Sequence, residues 1–296
     1  MRFGSTLGLI AAGLLGAAAP AWPDRMRAEL VGRYIWTDAS PIFGGISGLE
    51  LTPDGLGFVA VSDSGTVFEG RFLRGAEGQV TGTETGAPVV LLSHHGKPLS
   101  EPTRDAEGIA LATDGSLFIS FETRNHIGHY SADGTNWIAE DWPEAFKAFA
   151  ENLGAEALAI DGTGRLIVLP EVPPKGGNTP VYRRTGERWE VPFTLRRDGH
   201  WNPVGADFGP DGRLYLLERD FWPLLGFASR VRRLTLSDTA IQSDEVIWQS
   251  EPGWHDNLEG IAVWQDPAGA VRLTLVADDN FLPVQKTEVV DLKLTE

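Results

Sequence analysis

Short apolar runs dominate the chain, each bounded by turn residues and flanked by an acid. Ile46 to Gly55 carries Glu50 and closes on Asp54-Gly55, and the apolar run from Phe58 leads to Asp63. The same order then recurs. Asp105 to Leu111 carries Glu107, precedes Asp114-Gly115, and is followed by Leu117 to Glu122. Gly154 to Ile160 carries Glu156, precedes Gly164, and is followed by Leu166 to Glu171. Gly205 to Gly209 carries Asp207, precedes Asp211-Gly212, and is followed by Leu214 to Glu218. Asn257 to Val263 carries Glu259, precedes Gly269, and is followed by Leu273 to Asp278. The first acids of these units are spaced by 57, 49, 51 and 52 residues. Each unit predicts an antiparallel hairpin, because the turn glycines supply the positive φ that tight turns require.

A period near 50 with short strands and Gly turns predicts the blades of an all-β propeller. Room for two more strands follows each hairpin, as at Val181 to Arg184 and Trp189 to Thr194. The last unit has one further strand, from Glu288 to Leu294, while a spare strand, Ala28 to Trp36, precedes the first. The spare strand completes the last blade, closing the ring and removing free sheet edges. Five blades are therefore expected. Six are the alternative, because the first unit is longer than the rest. A helix is predicted over Asp141 to Glu151, with a capping Asp, an early Pro and helical spacing of apolar residues. Residues 173–178 and 222–226 read as loops. No low-complexity linker divides the chain, so residues 22–296 are expected to form one domain.

The first 21 residues lie apart from that pattern. Arg2, an apolar run from Leu7 to Ala19, and the small residues of Ala19-Pro20-Ala21 read as a secretory leader with a cleavage site. The run is too short to span a bilayer, so a periplasmic or secreted protein without membrane insertion is expected. The absence of cysteine removes disulfides, thiolate metal sites and cysteine nucleophiles. Net charge is −16 over 296 residues, which disfavours nucleic acid and anionic lipid as partners and suits cation binding. The same charge also serves solubility alone.

Consecutive strands of a blade run antiparallel, so the start of the first and the end of the second lie at one edge. On that geometry the pairs Glu50–Asp63, Glu107–Glu122, Glu156–Glu171, Asp207–Glu218 and Glu259–Asp278 converge at one mouth, with Asp279 and Asn280 beside the last. Like charges so close raise one another's pKa. Hard oxygen donors favour Ca²⁺ over zinc or copper, with Glu50, Asp63, Glu107, Glu156, Glu171, Asp207, Glu259, Asp278 and Asp279 as candidate ligands. A purely structural role, bonding to backbone amides or arginines, is the alternative. Arg104, Arg124, His126 and Arg219 flank these acids, and His200, Lys286 and Lys175 are further cationic candidates. Guanidinium groups at such a mouth suit a phosphate or carboxylate substrate. Arg124, Arg219, Glu122 and Glu218 are the candidate catalytic groups, and Arg104, His126, His200 and Lys286 the candidate substrate contacts. Salt bridging within the acidic ring is an equal reading for Arg104 and Arg219. His94-His95 reads as a loop pair, since adjacent strand residues face opposite sides. No nucleophile elbow, phosphate-binding Gly-rich loop or His-Glu-x-x-His occurs.

The segments Arg104 to Ala110, Asn152 to Leu158, Leu216 to Phe221 and Asp278 to Phe281 resemble the "esterase-like activity of phytase" family, from about Gly44 to Asp291. The resemblance implies an exported propeller-type phosphoesterase. The third unit departs from it with Glu156-Ala for Glu-Gly, and the fourth with Asp207 for Glu. Two functions follow as expectations: a Ca²⁺-dependent hydrolase of small phosphate esters, or a non-catalytic, calcium-stabilised binding propeller.

Overall fold

The computed structural model describes residues 27–150 and 153–295, and the leader read in residues 1–21 lies outside them. Strand β1 (Ala28–Ile35) comes first in the chain and last in the ring. The first blade is β2 (Ile46–Leu51), β3 (Gly57–Ser62), β4 (Thr66–Arg74) and β5 (Val80–Thr85), with the short β6 (Val89–Val90) beside β4. The second is β7 (Ala106–Leu111), β8 (Leu117–Phe121), β9 (His126–Tyr130) and β10 (Trp137–Asp141). The third is β11 (Ala155–Ile160), β12 (Leu166–Pro170), β13 (Thr179–Thr185) and β14 (Arg188–Leu195). The fourth is β15 (Asn202–Phe208), β16 (Leu214–Trp222), β17 (Gly226–Leu236) and β18 (Ile241–Gln249). The fifth joins β19 (Asn257–Gln265), β20 (Val271–Asp278) and β21 (Glu288–Leu294) to β1, which pairs antiparallel with β21 from Ala28↔Leu294 to Ile35↔Glu288.

Five sheets settle the blade count, and the long first unit is accounted for by β6 and the connection to β7 rather than by a sixth blade. The innermost strands β2, β7, β11, β15 and β19 touch one another in sequence order and β19 returns to β2, so the ring is closed. Hydrophobic residues fill the seams between neighbouring blades. Trp36, Phe58 and Phe72 fill the seam between the fifth blade and the first, and Tyr215, Leu217, Leu258 and Leu275 the seam between the fourth and fifth. The expected hairpin turns are present: Gly55, Gly115, Gly164, Gly212 and Gly269 all have positive φ.

Between blades, glycine serves close approach. A Cβ on Gly205 would lie 2.2 Å from the carbonyl oxygen of Glu259 on the next innermost strand, and one on Gly108 2.5 Å from that of Glu156. The Glu-Gly and Val-Gly steps of the inner strands thus set the width of the ring. Gly205→Ala is expected to cost about 2–3 kcal/mol, since two backbones must separate to admit one methyl group. A urea midpoint equal to that of the wild type would refute this reading of the inner seam.

The helix expected over Asp141 to Glu151 is instead a single 3₁₀ turn, Glu144–Ala148, preceded by the end of β10; residues 151–152 are outside the described set. Asp141 does not cap it, because its carboxylate accepts the Trp189 indole at 2.7 Å and pairs with Arg184 at 3.0 Å. Phe146 and Phe149, three apart as a 3₁₀ turn favours, pack with Tyr182 in the seam between the second and third blades.

Candidate metal centre

Each innermost strand breaks register with its neighbour near its start. The breaks fall between Ile46/Gly48, Ala106/Ile109, Ala155/Ala157, Pro203/Gly205 and Leu258/Gly260. A bulge inserts one residue and re-aims its side chain. The inserted positions are Ser47, Glu107, Glu156, Val204 and Glu259, and all but Val204 line a cavity of about 380 Å³ at one mouth of the channel. A second tier stands where the second strand of each blade reaches the mouth: Asp63, Glu122, Glu171, Arg219 and Asp278, all lining the same cavity. Asp105, Asn202 and Asn257, two residues before the bulge positions, complete the rim. Eight carboxyl groups and one guanidinium therefore share this space.

Among the described residues, the one cation lining the cavity sits to one side. Arg219 donates to Glu171 at 2.9 Å and to Asn257 at 2.6 Å, and contacts Glu259 closely. Burial opposes its charge, but Glu259, Glu171 and Glu156 hold the guanidinium more firmly protonated than usual. The other side, built from Asp63, Asp105, Glu107 and Glu122 of the first two blades and Asp278 of the fifth, touches no guanidinium of the cavity lining. Burial first, then Asp105 and Glu259, pushes Asp63 up to about 7. Burial, then Glu259 and Asp63, pushes Asp278 up to about 8. Glu107 and Glu156 are raised well above the carboxylate range, again by burial and then by neighbouring carboxyls. Glu122 accepts the Gly154 amide at 2.8 Å, and burial raises its pKa in spite of that bond.

Within this uncompensated sector, carboxylate oxygens of Asp105, Glu107 and Glu122 lie within 4.8 Å of one another. All three belong to the second blade and its entry. Asp105 is also held by the Thr123 hydroxyl at 2.8 Å. Three hard oxygen donors converging at this spacing fit a divalent cation such as Ca²⁺. Glu156 and Asp63 share the cavity as further oxygen donors.

Several candidates lie elsewhere. Glu50 and Asp207 are three residues along the strand from Ser47 and Val204, about 10 Å from the mouth. Each accepts a backbone amide of the next blade, Leu111 at 3.2 Å and Val263 at 2.6 Å. Glu218 faces the opposite side of its strand from Arg219 and is buried between Arg230 at 2.6 Å and Arg232 at 2.8 Å. Asp279 is fully engaged in shaping its turn, accepting from Gly45, Phe281 and Thr287. His126 is buried in a stack between Phe121 and Trp142, with ring centroids 4.5 and 4.2 Å away, and burial lowers its pKa. Arg104 is exposed and paired with Glu101 at 2.9 Å. Arg124 and His200 are exposed outside the cavity lining, as is Lys175. Lys286 borders a separate groove between the fourth and fifth blades. His94 and His95 sit in an exposed turn with their rings tilted at 45° to each other, as a loop pair.

Ser47, Asp105, Asn202 and Asn257 were not among the expected ligands. Asp105 had a readable signal, lying two residues before Glu107 and hence on the same strand face.

Fold and site together define a five-bladed propeller with an acidic, oxygen-donor centre at one mouth. The chain belongs to the phytase-like family, described as having the esterase-like activity of phytase, with residues 41–281 matched. No curated protein matches it in sequence. Among solved structures it is similar to the PQQ-bound aldose sugar dehydrogenase of Streptomyces coelicolor, at 14% identity over 88% of this chain and 98% of that one, with a TM-score of 0.45. It is also similar to a chain of the nidogen/laminin complex, at 15% identity over 86% of each, with a TM-score of 0.46. A gluconolactonase from Xanthomonas campestris matches at 11% identity over 83% of this chain and 71% of that one, with a TM-score of 0.41.

Proposed function

We propose that this protein is a Ca²⁺-dependent phosphoesterase of phytase-like type, acting on small phosphorylated substrates at the acidic mouth. The observation that carries this reading is the convergence of Asp105, Glu107 and Glu122 in a sector that, among the described residues, no cation of the cavity lining enters. Family membership supports the hydrolytic chemistry. The leader read in residues 1–21 would deliver the domain to a calcium-rich compartment.

The residues that would hold the ion are Asp105, Glu107 and Glu122, with Glu156 next to them. Bound there, the ion would supply positive charge for the substrate phosphate and polarise the phosphoryl group. Arg219 presents its guanidinium to the same cavity and is the protein's own cation toward phosphoryl oxygens. In the hydrolysis, water attacks phosphorus, the bond from phosphorus to the ester oxygen breaks, and the departing alcohol takes up a proton. The attacking water loses a proton to a carboxylate of the same cavity. Asp63, poised near neutrality, is suited to that exchange.

The decisive assay follows release of inorganic phosphate from phytate and aryl phosphates, with Ca²⁺ and with chelator, alongside thermal melts. Turnover is expected only with Ca²⁺, and Ca²⁺ is expected to raise the melting temperature by several degrees. Glu107→Gln should lose most of that rise, because it removes one charged ligand without changing volume. Its metal-free form should be at least as stable as the wild type, since one repelling carboxyl has gone. A melting rise without turnover in any condition would transfer the protein to the class of calcium-stabilised binding propellers. Superimposable melts with and without Ca²⁺ would remove the metal centre altogether.

A further inference from the structure

The hairpin of the fourth blade does not stop at the mouth. The second strands of the first three blades end at Ser62, Phe121 and Pro170, one residue before their mouth carboxylates. In the fourth blade β16 continues past Arg219 and stays paired with β17 through Asp220↔Ala228, Phe221↔Phe227 and Trp222↔Gly226. Three further pairs raise a wall about 10 Å above the acidic tier.

That wall is apolar. Phe221 is 61% exposed, Trp222 47%, Leu225 58% and Leu224 fully so. Trp254, 62% exposed, extends it from the loop before β19, which docks through the Gly253 amide onto the Phe227 carbonyl at 2.8 Å. Surface aromatics at this density mark a binding surface rather than a folding requirement. Leu224 argues the same point independently. It occupies the turn at φ +75°, where a leucine costs about 1 kcal/mol relative to glycine, and it buries nothing in return. The fold has no use for a leucine there.

The wall is continuous with the mouth. Phe221 and Phe227 line the same cavity as the carboxylates, with ring centroids 5.2 Å apart, and the Arg219 guanidinium lies 5.6 Å from the Phe227 ring. A ligand whose phosphate lies at the charged tier would direct its other end along these rings. We infer that this wall is the subsite for the leaving group, and that phosphate esters of apolar, ring- or chain-bearing alcohols are preferred over those of polyols. The inference rests on the phosphoesterase reading for where the phosphate sits. It commits the Phe221–Phe227 face of the wall to substrate, because these two rings open into the cavity itself, while Trp254 borders the neighbouring groove.

The test compares binding of naphthyl phosphate and glycerol phosphate in Ca²⁺ buffer by calorimetry, with turnover of both measured in parallel. The wild type is expected to favour naphthyl phosphate by about tenfold or more, the return from covering one aromatic face. Phe221→Ala should bring the two esters close to parity while leaving the melting temperature unchanged, since that ring is mostly in solvent. Equal affinities in the wild type, binding of neither ester, or a preference untouched in Phe221→Ala overturns the inference. Binding preference without turnover keeps the subsite and sinks the hydrolysis; turnover without preference does the reverse. Leu224→Gly should melt no lower than the wild type. Dimerisation, or binding to phosphatidylcholine vesicles, that is lost in Leu224→Gly while naphthyl preference is absent assigns the wall to that contact and overturns the subsite.

Discussion

Arg219→Ala is expected to destabilise the metal-free protein by about 3–5 kcal/mol, the usual consequence of stripping one partner from a buried ion pair. The Arg219 side chain is 18% exposed and its partners Glu171 and Glu259 are each 9% exposed. Removing the guanidinium leaves both carboxyls, and the Asn257 amide oxygen, in a mouth already crowded with acid. They can recover only by taking up protons, which costs more as pH rises. For a domain of this size the loss corresponds to a fall of roughly 10 °C in melting temperature. Arg219→Glu makes the sharper comparison. Arg219 occupies the position held by Asp63, Glu122, Glu171 and Asp278 in the other four blades, so the substitution completes an all-acid ring. Its metal-free form should be at least as unstable as Arg219→Ala, and its melting temperature should respond more steeply to Ca²⁺, because the added cation replaces the missing one. Calorimetry in chelator and in Ca²⁺ reads both effects. Wild-type melting of Arg219→Ala in chelator would show that the pair is not the internal counter-charge of the mouth.

The fold was legible because its signals are local and repeated. Turn glycines at 55, 115, 164, 212 and 269 mark the hairpins, the chain's spare strand at Ala28 has no partner but the last blade, and the spacing fixes the unit. The site was legible only in outline. Pairing by first acid is right in the second, third and fifth units, where Glu107, Glu156 and Glu259 are themselves the bulge residues. It fails in the first and fourth, where Ser47 and Val204 take that position and the conspicuous acids Glu50 and Asp207 lie three residues deeper. A bulge leaves no mark in hydrophobic alternation, since it adds one residue whose direction depends on pairing with a distant strand. The same slip hides Arg219. Glu218 looks like the fourth blade's acid, yet a shift of one residue turns it to the other face, between Arg230 and Arg232, and brings the arginine to the mouth. The 3₁₀ turn at Glu144–Ala148 escaped for a different reason: Asp141, the expected cap, is engaged by Trp189 and Arg184 from the neighbouring blade.

Between pH 5 and pH 8 the metal-free protein is expected to lose stability as pH rises, and Asp207→Asn should remove a definable part of that loss. Glu50 and Asp207 stand on non-neighbouring blades and act on each other across the channel. Burial, joined by Asp207, raises Glu50 well above the carboxylate range, and burial pushes Asp207 up to about 7. For an acid whose pKa is raised by folding, the folded chain keeps a proton that the unfolded chain has released. The stabilising contribution is therefore complete below the unfolded value near 4 and disappears as pH climbs through about 7. One such group changes stability by about 1.4 kcal/mol per pH unit inside the window, with about 4 kcal/mol as the ceiling for Asp207. Acids lowered by folding, such as Glu288 and Asp266, titrate below this window and do not offset it. Asparagine keeps an oxygen that can accept the Val263 amide while remaining neutral. Asp207→Asn should thus gain on the wild type by about 1–3 kcal/mol between pH 5 and pH 8 in urea titrations with chelator. Its remaining slope belongs to Glu50 and to mouth carboxyls such as Asp63 and Asp278; Ca²⁺ should flatten the mouth part without touching the Asp207 part, because that group lies about 10 Å deeper. The two effects should accordingly add. A wild-type midpoint that does not change from pH 5 to pH 8 in chelator would mean that the channel carboxyls are ionised at no cost, and that neither the deep pair nor the mouth stores the repulsion described here.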